Sequence, residues 1–390
     1  MDALGICVGA STIGIVRLQQ TETGPKVLWA KTRPHEGDSR GTLREMLSEV
    51  DDLDKLKIAA TGRKFRHLLT LSNISEPEAV ELAAEQVLPE NQNYRTIISA
   101  GGETFLVYAL DREGKVQDIH TGNKCASGTG EFLLQQLGRM GLSLEEVSDM
   151  DIGGPAHAVS GRCSVFCKSD CTHALNKGVP KMQVVAGLAK MMANKSLELL
   201  KKLPKDKVVL IGGCSKNRFM VHYLQQEIQD LYIPEEADWF EALGAGLWAL
   251  ENRPHAFPGL DGLFLDRGNS FSFLEPLSEY TQMVSFKTNP RQVPQKGDKV
   301  ILGLDVGSTT TKGVLMRVKD HSILAGDYLR TDGDPVGASR RVYQSLYEQI
   351  DVPLNIVGLG VTGSGRAIAG LHAQTSGVIN EIIAHAAAAI

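Results

Sequence analysis

A short loop near the end of the chain combines residue types that bind phosphate groups. Asp305 closes the apolar run ILGLD, and VGSTTTK follows with a glycine, four adjacent hydroxyl residues and a lysine. Glycine lets the backbone approach a phosphate closely, and successive N–H groups and hydroxyls donate to its oxygens. A carboxylate at a strand end can hold Mg²⁺ through water, and a lysine can neutralise a terminal phosphate. The candidate catalytic residues are Asp305 and Lys312, and the candidate phosphate-binding residues are Gly307, Ser308, Thr309 and Thr310.

The alternative interpretation of this loop is a hydroxyl-rich hairpin turn beside an ordinary aspartate. The loop is not a Walker A motif, because it lacks the G-x-x-x-x-G-K-[ST] spacing and runs into an apolar strand rather than a helix. We therefore predict a β-hairpin whose turn faces a phosphate group.

A related loop stands at the start of the chain, in LGICVGASTIGIVRL. Gly9, Ser11 and Thr12 correspond to the glycine and two hydroxyl residues of the later loop, and all three are candidate nucleotide-binding residues. Cys7 stands where the later loop has its aspartate, and Gly14 stands where it has its lysine. Phosphate contact is retained in this interpretation, whereas magnesium binding and hydrolysis are expected to be weakened.

Three further glycine-containing segments fit a nucleotide cleft. IISAGGETFLV has the pattern of a second phosphate hairpin, and VVLIGGCSKN is a strand that ends in two glycines before a helix. NKCASGTGEFL has a Gly-Thr-Gly turn before a helix that begins near Glu131. Each pattern alone also fits an ordinary turn. Together they add these candidate nucleotide-binding residues: Gly101, Gly102, Gly128, Thr129, Gly130, Gly212, Gly213 and Asn217.

The six cysteines raise the question of a metal or redox role. Cys125 precedes the Gly-Thr-Gly turn, and a thiol just ahead of a helix N-terminus is favoured as the metal-binding thiolate. Cys163, Cys167 and Cys171 follow at helical spacing, which would place their sulfurs within roughly 80° of one helix face. Buried structural cysteines are the alternative. Zinc is the other metal to weigh, although the usual C-x₂-C spacing is missing.

The two phosphate-type loops belong to a longer internal repeat. IAATGRKF resembles LGVTGSGR, since each is an apolar strand that runs into Thr-Gly, and SEPEAVELAAE resembles INEIIAHAAAA. We therefore predict one complete repeat over 1–250, a turn-rich and proline-rich linker over 251–299, and the first part of a second, truncated repeat over 300–390. The alternative is that residues 300–390 form a small domain of their own. The repeat also leads us to expect a longer natural protein.

Composition and periodicity indicate a layered α/β protein. Hydrophobic residues make up 42% and charged residues 22% of the 390 residues, which is a globular composition that argues against disorder. The net charge of −5 and the lack of a basic block argue against a nucleic-acid partner, and the apolar runs are too short to cross a membrane. The chain does not begin with a signal-peptide pattern, so we expect a cytoplasmic location.

The predicted elements place the glycine-containing loops at strand ends. Strands are predicted at 5–8, 13–18, 58–60, 96–99, 104–109, 208–211, 301–305 and 313–316. Helices are predicted at 43–53, 76–87, 131–140, 181–200 and 217–229. Because each repeat opens with a strand, a turn and a second strand, it differs from a Rossmann unit, in which a helix follows the first strand.

Taken together, these motifs resemble the ATP-dependent activators of 2-hydroxyacyl-CoA dehydratases and the ATPase subunits of benzoyl-CoA reductase. LDVGSTTTKGVLM matches the opening loop of that family, and residues 362–366 match its Thr-Gly-x-Gly-Arg segment. The Lys-Cys-Ala-x-Gly-Thr-Gly segment of the family is matched at Cys125, and its Cys-x-Val-Phe segment is matched at Cys163. Its Gly-Gly and Ala-Leu-Gly-Ala segments are matched at 212–213 and 242–245.

The resemblance implies an α/β fold of the actin-like ATPase type, which acetate and sugar kinases and heat-shock chaperones share, with duplicated ribonuclease H-like lobes. It implies ATP or ADP with Mg²⁺, and a [4Fe–4S] cluster shared across an interface with Cys125 and Cys163 among its ligands. ATP would then drive a low-potential electron from a donor such as ferredoxin or flavodoxin into a 2-hydroxyacyl-CoA dehydratase or a CoA-ester reductase. The tandem arrangement resembles the large fused activases of anaerobes, so a second ATPase unit or a homodimer would complete the cluster site. Cys167 and Cys171 have no counterpart in the family pattern and are expected to be structural or to lie behind the ligands.

The chain departs from the family pattern at two acidic positions. The second phosphate loop of the family begins with aspartate, in Asp-Ile-Gly-Gly-Gln-Asp, whereas this chain has Ser99, and Cys7 replaces the aspartate of the first loop. An ATP-gated electron-transfer activator is the leading hypothesis, and the loss of both acids favours a non-catalytic nucleotide-binding scaffold as the alternative. A small-molecule kinase of the same superfamily is the third hypothesis, but phosphoryl transfer needs no pair of thiolates such as Cys125 and Cys163.

Overall fold

The structure is a computed structural model of the 390-residue chain. It describes residues 2–63, 65–89, 92–122, 128–152, 154–161, 163–265, 275–285 and 291–389. The chain forms two compact units. Unit 1 comprises 1–135, 148–167 and 186–268, and unit 2 comprises 136–147, 168–185 and 269–390.

The first sheet of unit 1 is built around the hairpin that opens the chain. Its strands are β1 (Asp2–Val8), β2 (Thr12–Thr21), β3 (Gly24–Pro34), β4 (Lys57–Thr61) and β5 (Ser72–Asn73), in the order β3-β2-β1-β4-β5. β1 pairs antiparallel with β2 and parallel with β4. The predicted hairpin of two apolar strands is therefore confirmed.

The second sheet of unit 1 repeats this plan. Its strands are β6 (Thr96–Ala100), β7 (Phe105–Leu110), β8 (Val116–Thr121), β9 (Lys207–Ile211) and β10 (Asp230–Tyr232), in the order β10-β9-β6-β7-β8. β6 pairs antiparallel with β7 and parallel with β9, as β1 pairs with β2 and β4. In both sheets the first strand therefore ends in a glycine-containing turn and lies beside a parallel strand that ends at the same edge.

Helices connect and cover the strands. They are α1 (Ser39–Ser48), α2 (Glu76–Val87), α3 (Gly130–Arg139), α4 (Leu144–Ser148), α5 (Ser164–Asn176), α6 (Lys181–Leu199), α7 (Arg218–Gln225), α8 (Phe240–Glu251), α9 (Pro335–Glu348), α10 (Arg366–His372) and α11 (Glu381–Ala389). α2 has the predicted bounds, because Ser75 caps it by accepting a hydrogen bond from the N–H of Glu78 and a proline stands in the first turn. Among the described residues, none of these helices combines the length and the apolar character that a membrane span requires.

The first sheet of unit 1 buries apolar side chains on both faces. Because successive side chains of a strand point to opposite faces, Leu4 and Ile6 of β1 lie in one core with Leu47 of α1. Ala3 lies in the other core, with Leu243 of α8. The turns at the ends of β1 and β6 are therefore attached to rigid, buried strands.

The sheet of unit 2 has the same strand order as the first sheet of unit 1. Its strands are β11 (Lys299–Val306), β12 (Thr310–Arg317), β13 (Ile323–Arg330) and β14 (Asn355–Thr362), in the order β13-β12-β11-β14. Cys7 pairs with Gly14 and Thr61 across the first sheet, and Asp305 pairs with Lys312 and Thr362 across this one. The register thus agrees with the sequence repeat residue by residue.

Helix capping extends the repeat beyond the segments that the sequence pattern matches. Asp38 caps α1 by accepting a hydrogen bond from the N–H of Gly41, and Asp334 caps α9 by accepting one from the N–H of Gly337. In each of the two sheets, the third strand is therefore followed by a helix that is capped in the same way. The boundaries at 250 and 300 stay a prediction.

Candidate nucleotide cleft and cysteine site

The turn between β1 and β2 is a preformed hairpin loop. The N–H of Gly9 donates to the carbonyl oxygen of Thr12 at 2.9 Å, and the N–H of His35 donates to the carbonyl oxygen of Ser11 at 3.1 Å. The ring Nε2 of His35 lies 3.3 Å from the carbonyl oxygen of Gly9. Sequence reasoning missed His35, because it follows the exposed strand β3 and no motif marks it.

The turn between β6 and β7 lies directly against this hairpin. A β-carbon on Gly102 would come within 2.0 Å of the Ser11 Oγ, so only glycine allows the two turns to meet. The N–H groups of Gly130 and Glu131 donate to the carbonyl oxygens of Gly101 and Gly102 at 3.2 and 3.0 Å. The Gly-Thr-Gly turn at the start of α3 therefore packs against the turn between β6 and β7.

The di-glycine turn at the end of β9 completes the set of turns. The N–H of Gly212 donates to the carbonyl oxygen of Ala237 at 2.6 Å, and the Sγ of Cys214 lies 3.6 Å from the carbonyl oxygen of Gly101. Burial raises the pKa of the Cys214 thiol to about 12. Asn217 caps α7 by accepting a hydrogen bond from the N–H of Met220, so its side chain has a structural role in addition to the predicted one.

Four predicted turns thus meet in unit 1. They contain Gly9, Ser11, Thr12, Gly101, Gly102, Gly128, Thr129, Gly130, Gly212 and Gly213. We call this meeting place the cleft.

Two acidic side chains that the sequence analysis missed bind hydroxyl groups at the first two turns. The Oγ of Ser11 donates to the Glu131 Oε2 at 3.0 Å, and the Oγ of Ser99 donates to the Glu241 Oε1 at 3.1 Å. Glu131 stands immediately after Gly-Thr-Gly, and Glu241 is the acid in the otherwise apolar run FEALGAGLWAL. An acid inside an apolar helix pattern is the signal that could have revealed Glu241.

Glu241 lies behind the two positions where the family pattern has aspartates. Burial is the main cause that raises the pKa of Glu241 to about 7, and the nearby charge of Glu76 adds to it. Burial also raises the pKa of the Cys7 thiol well above its usual range, and the charges of Glu241 and Glu76 act in the same direction. A neutral thiol at position 7 and a hydroxyl at position 99 therefore stand at the ends of β1 and β6.

The hairpin of unit 2 has the predicted loop geometry. The N–H of Gly307 donates to the carbonyl oxygen of Thr310 at 2.9 Å, as Gly9 donates to Thr12 in unit 1. The Nζ of Lys312 lies 2.9 Å from the Asp305 Oδ2, and both side chains are about one-third exposed. The two candidate catalytic residues are therefore brought together as an ion pair across β11 and β12.

The candidate metal-binding cysteines lie on two different segments. Cys125 lies outside the described residues, so its distance from Cys163 is untested. Cys163 is partly exposed and precedes α5, and its carbonyl oxygen accepts the N–H of Cys167 at 2.9 Å. Cys167 and Cys171 are buried on α5, as expected for structural residues. Among the described residues, no three side chains of His, Cys, Asp or Glu gather closely enough to hold a metal ion.

A cavity of about 750 Å³ in unit 1 borders the cleft and is also lined by Gly122 and Gly161. Gly128 and Thr129 line it and also belong to the cleft. α6 contributes half of the polar residues in its lining, namely Lys190, Asn194, Lys195 and Glu198.

Comparison with known proteins decides the family. The sequence model of the BadF/BadG/BcrA/BcrD ATPase family matches residues 9–249 of this chain. The chain belongs to this family. The match includes the four turns of the cleft and both candidate metal-binding cysteines. The family predicted from the motifs is therefore confirmed.

Individual members of the family support the same assignment. The chain is 31% identical over 261 residues to the activator of lactoyl-CoA dehydratase from Anaerotignum propionicum, over 64% of this chain and 98% of that one. The solved activator of the 2-hydroxyisocaproyl-CoA dehydratase from Clostridium difficile, with bound ADPNP, matches at 25% identity and a TM-score of 0.57, over 64% of this chain and 95% of that one.

A second solved family member confirms the fold. Component A of the Acidaminococcus fermentans (R)-2-hydroxyglutaryl-CoA dehydratase matches with a TM-score of 0.55 at 22% identity, over 64% of this chain and 98% of that one. The predicted α/β fold of the actin-like ATPase type is therefore confirmed.

Proposed function

We propose that this chain is an ATP-dependent activator that donates a low-potential electron to a 2-hydroxyacyl-CoA dehydratase or a CoA-ester reductase. The observation that carries the proposal is the meeting of the turns 9–12, 101–104, 128–131 and 212–215 in unit 1. Turns of this kind bring backbone N–H groups close to a phosphate chain. A relative is named as an activator of lactoyl-CoA dehydratase, and a solved relative carries ADPNP, which supports ATP or ADP as the ligand.

In unit 1 the nucleotide would be held mainly by backbone and hydroxyl groups. The hydrogen bond from the Gly9 N–H to the carbonyl oxygen of Thr12 closes the turn within the chain, so the loop loses little conformational freedom when it binds a phosphate. Cys7 and Ser99 offer no carboxylate, and burial keeps the Cys7 thiol neutral. A neutral thiol is a poor ligand for Mg²⁺, and the Ser99 hydroxyl carries no charge, so these two side chains do not replace the carboxylates that usually hold Mg²⁺.

We predict that unit 1 hydrolyses ATP slowly. Turnover is expected about a hundredfold or more below the ~10 s⁻¹ typical of enzymes, because carboxylates that would hold the metal and orient water are missing at positions 7 and 99. The Cys7→Asp variant alone is not expected to restore full activity, because Ser99 is also changed. Phosphate release with Mg²⁺ measures this, and Cys7→Ser is the matched control without an added charge. Ordinary ATPase turnover by the Asp305→Asn chain, in which unit 2 lacks its candidate catalytic acid, would contradict the prediction.

In unit 2, Asp305 and Lys312 are proposed to form the acidic and basic parts of a second phosphate site, with Gly307, Ser308 and Thr309 as its loop. The 2.9 Å ion pair supports this role, because a lysine released from a carboxylate can move to a phosphate while the carboxylate turns to Mg²⁺. Mg²⁺ would there neutralise the developing charge on the phosphate oxygens.

We further propose that the sheet of unit 2 is the first part of a second ATPase unit of the same kind. Val16 of β2 is fully buried against the core that contains α8. Val314 occupies the equivalent position in β12, since it pairs with Gly303 as Val16 pairs with Gly5, but Val314 is 38% exposed. Among the described residues this face of the sheet therefore lacks the cover that a helix like α8 provides.

The surroundings of Cys163 fit a ligand of an iron–sulfur cluster shared with another polypeptide. Cysteine thiolates are the usual ligands of such clusters, and Cys163 is partly exposed rather than buried in a core. Val165 and Phe166 in the first turn of α5 are 69% and 65% exposed, which marks an apolar surface that a partner could cover. When bound, a [4Fe–4S] cluster would supply the low-potential electron. A second ATPase unit or a second copy of the chain would supply the remaining thiolates, and ferredoxin or flavodoxin is the proposed donor.

We predict that Cys163→Ala removes most iron–sulfur absorbance and bound iron after anaerobic reconstitution of the chain. The reason is that a cluster at an interface loses one of its protein ligands. Cys171→Ala, two helical turns further along α5, is the matched control and is expected to keep most of the iron. Unchanged iron content in Cys163→Ala would show that this cysteine is not a ligand.

The second candidate function is a non-catalytic nucleotide-binding scaffold. Cys7 and Ser99 favour it, since both positions lack the acids that support hydrolysis. A chain that binds ATP, hydrolyses it slowly and fails to reduce a dehydratase in the presence of reduced ferredoxin would support the scaffold. ATP-dependent reduction of the dehydratase by the same chain would support the activator.

A further inference from the structure

The hydroxyl group of Ser11, in the turn between β1 and β2, donates a hydrogen bond to a carboxylate. The Oγ of Ser11 donates to the Glu131 Oε2 at 3.0 Å, although the two residues are far apart in the sequence. The other carboxylate oxygen of Glu131 accepts a weak hydrogen bond from the Gln135 Nε2 at 3.4 Å. A side-chain donor that the hairpin could offer to a phosphate therefore has an anionic partner already.

The backbone donors at the same place are also engaged. A helix N-terminus normally offers N–H groups to an anion. Here the N–H groups of Gly130 and Glu131 donate to the carbonyl oxygens of Gly101 and Gly102. The side chain of Glu131 adds a negative charge where the turns of β1, β6 and α3 meet, and the contact of Gly102 with Ser11 leaves little space between the first two turns.

We propose that Glu131 is a specificity-determining residue that weakens the binding of phosphate groups in the cleft of unit 1 by holding Ser11. This inference rests on the proposed adenine-nucleotide site. A phosphate oxygen can take the Ser11 hydroxyl only after the Glu131 carboxylate leaves, and a carboxylate that remains nearby repels the phosphate. Glu131 is exposed, so its side chain can turn into solvent when a phosphate enters. Adenosine has no phosphate charge for the Glu131 carboxylate to repel.

The test compares adenosine, ADP and ATP by titration calorimetry on the whole chain. Glu131→Gln keeps the size of the side chain and removes its charge, so ADP and ATP are expected to bind about tenfold tighter or more, whereas adenosine binding is unchanged. Glu145→Gln, an exposed acid in the first turn of α4, is the matched control and is expected to bind all three ligands as the wild type does. Adding Ser11→Ala to Glu131→Gln is expected to remove part of the gain, because a neutral amide holds the Ser11 hydroxyl less tightly than a carboxylate does and a phosphate oxygen can then take it.

The outcomes separate this inference from the proposed function. Equal ADP and ATP affinities in the wild type and Glu131→Gln would overturn the role of Glu131 while the nucleotide site stands. An equal gain for adenosine would also overturn it, because the effect would not depend on phosphate charge. If no variant binds adenosine, ADP or ATP, the nucleotide site itself is wrong, and the role of Glu131 is overturned with it.

Discussion

Gly5→Ala is expected to destabilise unit 1 by about 3 kcal/mol or more. A β-carbon at position 5 would lie 1.9 Å from the carbonyl oxygen of Ala242 and 2.3 Å from the amide nitrogen of Gly246, both in the backbone of α8. Backbone atoms of a packed helix cannot rotate away as the end of a side chain can, so α8 would have to shift away from the sheet. Urea denaturation followed by tryptophan fluorescence measures the loss, because Trp239 and Trp248 lie at the start of α8 and within it.

Gly303→Ala is the matched control for this substitution. Gly303 has the equivalent place in β11, but a β-carbon there would meet only the Val314 Cγ2, at 3.3 Å. Its effect on the free energy of unfolding is therefore expected to stay within about 1 kcal/mol, and circular dichroism follows it because the tryptophans lie in unit 1. A Gly5→Ala variant as stable as the wild type would show that α8 does not pack on β1 at this distance.

Several of the strands that the sequence predicts have side chains buried on both faces. β1, β6 and β9 are mostly apolar runs, and their pattern does not depend on any neighbour. β3 and β8 are edge strands with mixed polar and charged residues, so composition alone does not distinguish them from loops.

Helix bounds could be predicted where a capping residue is obvious in the sequence. α2 follows Ser75 and has the predicted range. α1 begins at Ser39 rather than Leu43, because Asp38 caps it and the glycine in its first turn obscures the helical pattern. α7 ends at Gln225, before the predicted end at 229, because β10 already begins at Asp230 and pairs with β9. The end of α7 is set by tertiary pairing, which a local pattern does not contain.

In the candidate site, too, features with a local sequence signature could be predicted, whereas features that depend on distant segments could not. The glycine-containing turns could be predicted, because glycine and hydroxyl residues at strand ends have a local signature. The carboxylates of Glu131 and Glu241 could not be placed, because each depends on a partner from a distant segment, Ser11 or Ser99. The absence of aspartate at positions 7 and 99 is visible in the sequence, but the presence of two other acids beside those turns is a property of the fold.

Glu241 is expected to make the stability of unit 1 depend on pH. Burial raises its pKa from 4.5 to about 7, the charge of Glu76 adds to this, and the Ser99 hydroxyl and the charge of Arg63 oppose it. Between these two pH values the folded chain keeps a proton that the unfolded chain releases, so the free energy of unfolding falls as the pH rises. Each pH unit contributes up to about 1.4 kcal/mol, so the total loss approaches about 3 kcal/mol above pH 7.

Glu241→Gln isolates this contribution, because the amide keeps an acceptor for the Ser99 hydroxyl and cannot titrate. The variant is expected to be about 3 kcal/mol more stable than the wild type at pH 8 and nearly equal to it at pH 4.5, measured by urea denaturation at several pH values. All other groups are the same in both proteins, so their contributions cancel in the difference. Glu113→Gln, in the exposed turn between β7 and β8, removes the same charge and is expected to give a difference that does not vary with pH. A constant difference for Glu241→Gln as well would mean that the folded chain does not hold the extra proton. In that case the site behind Cys7 and Ser99 is more hydrated than its burial indicates.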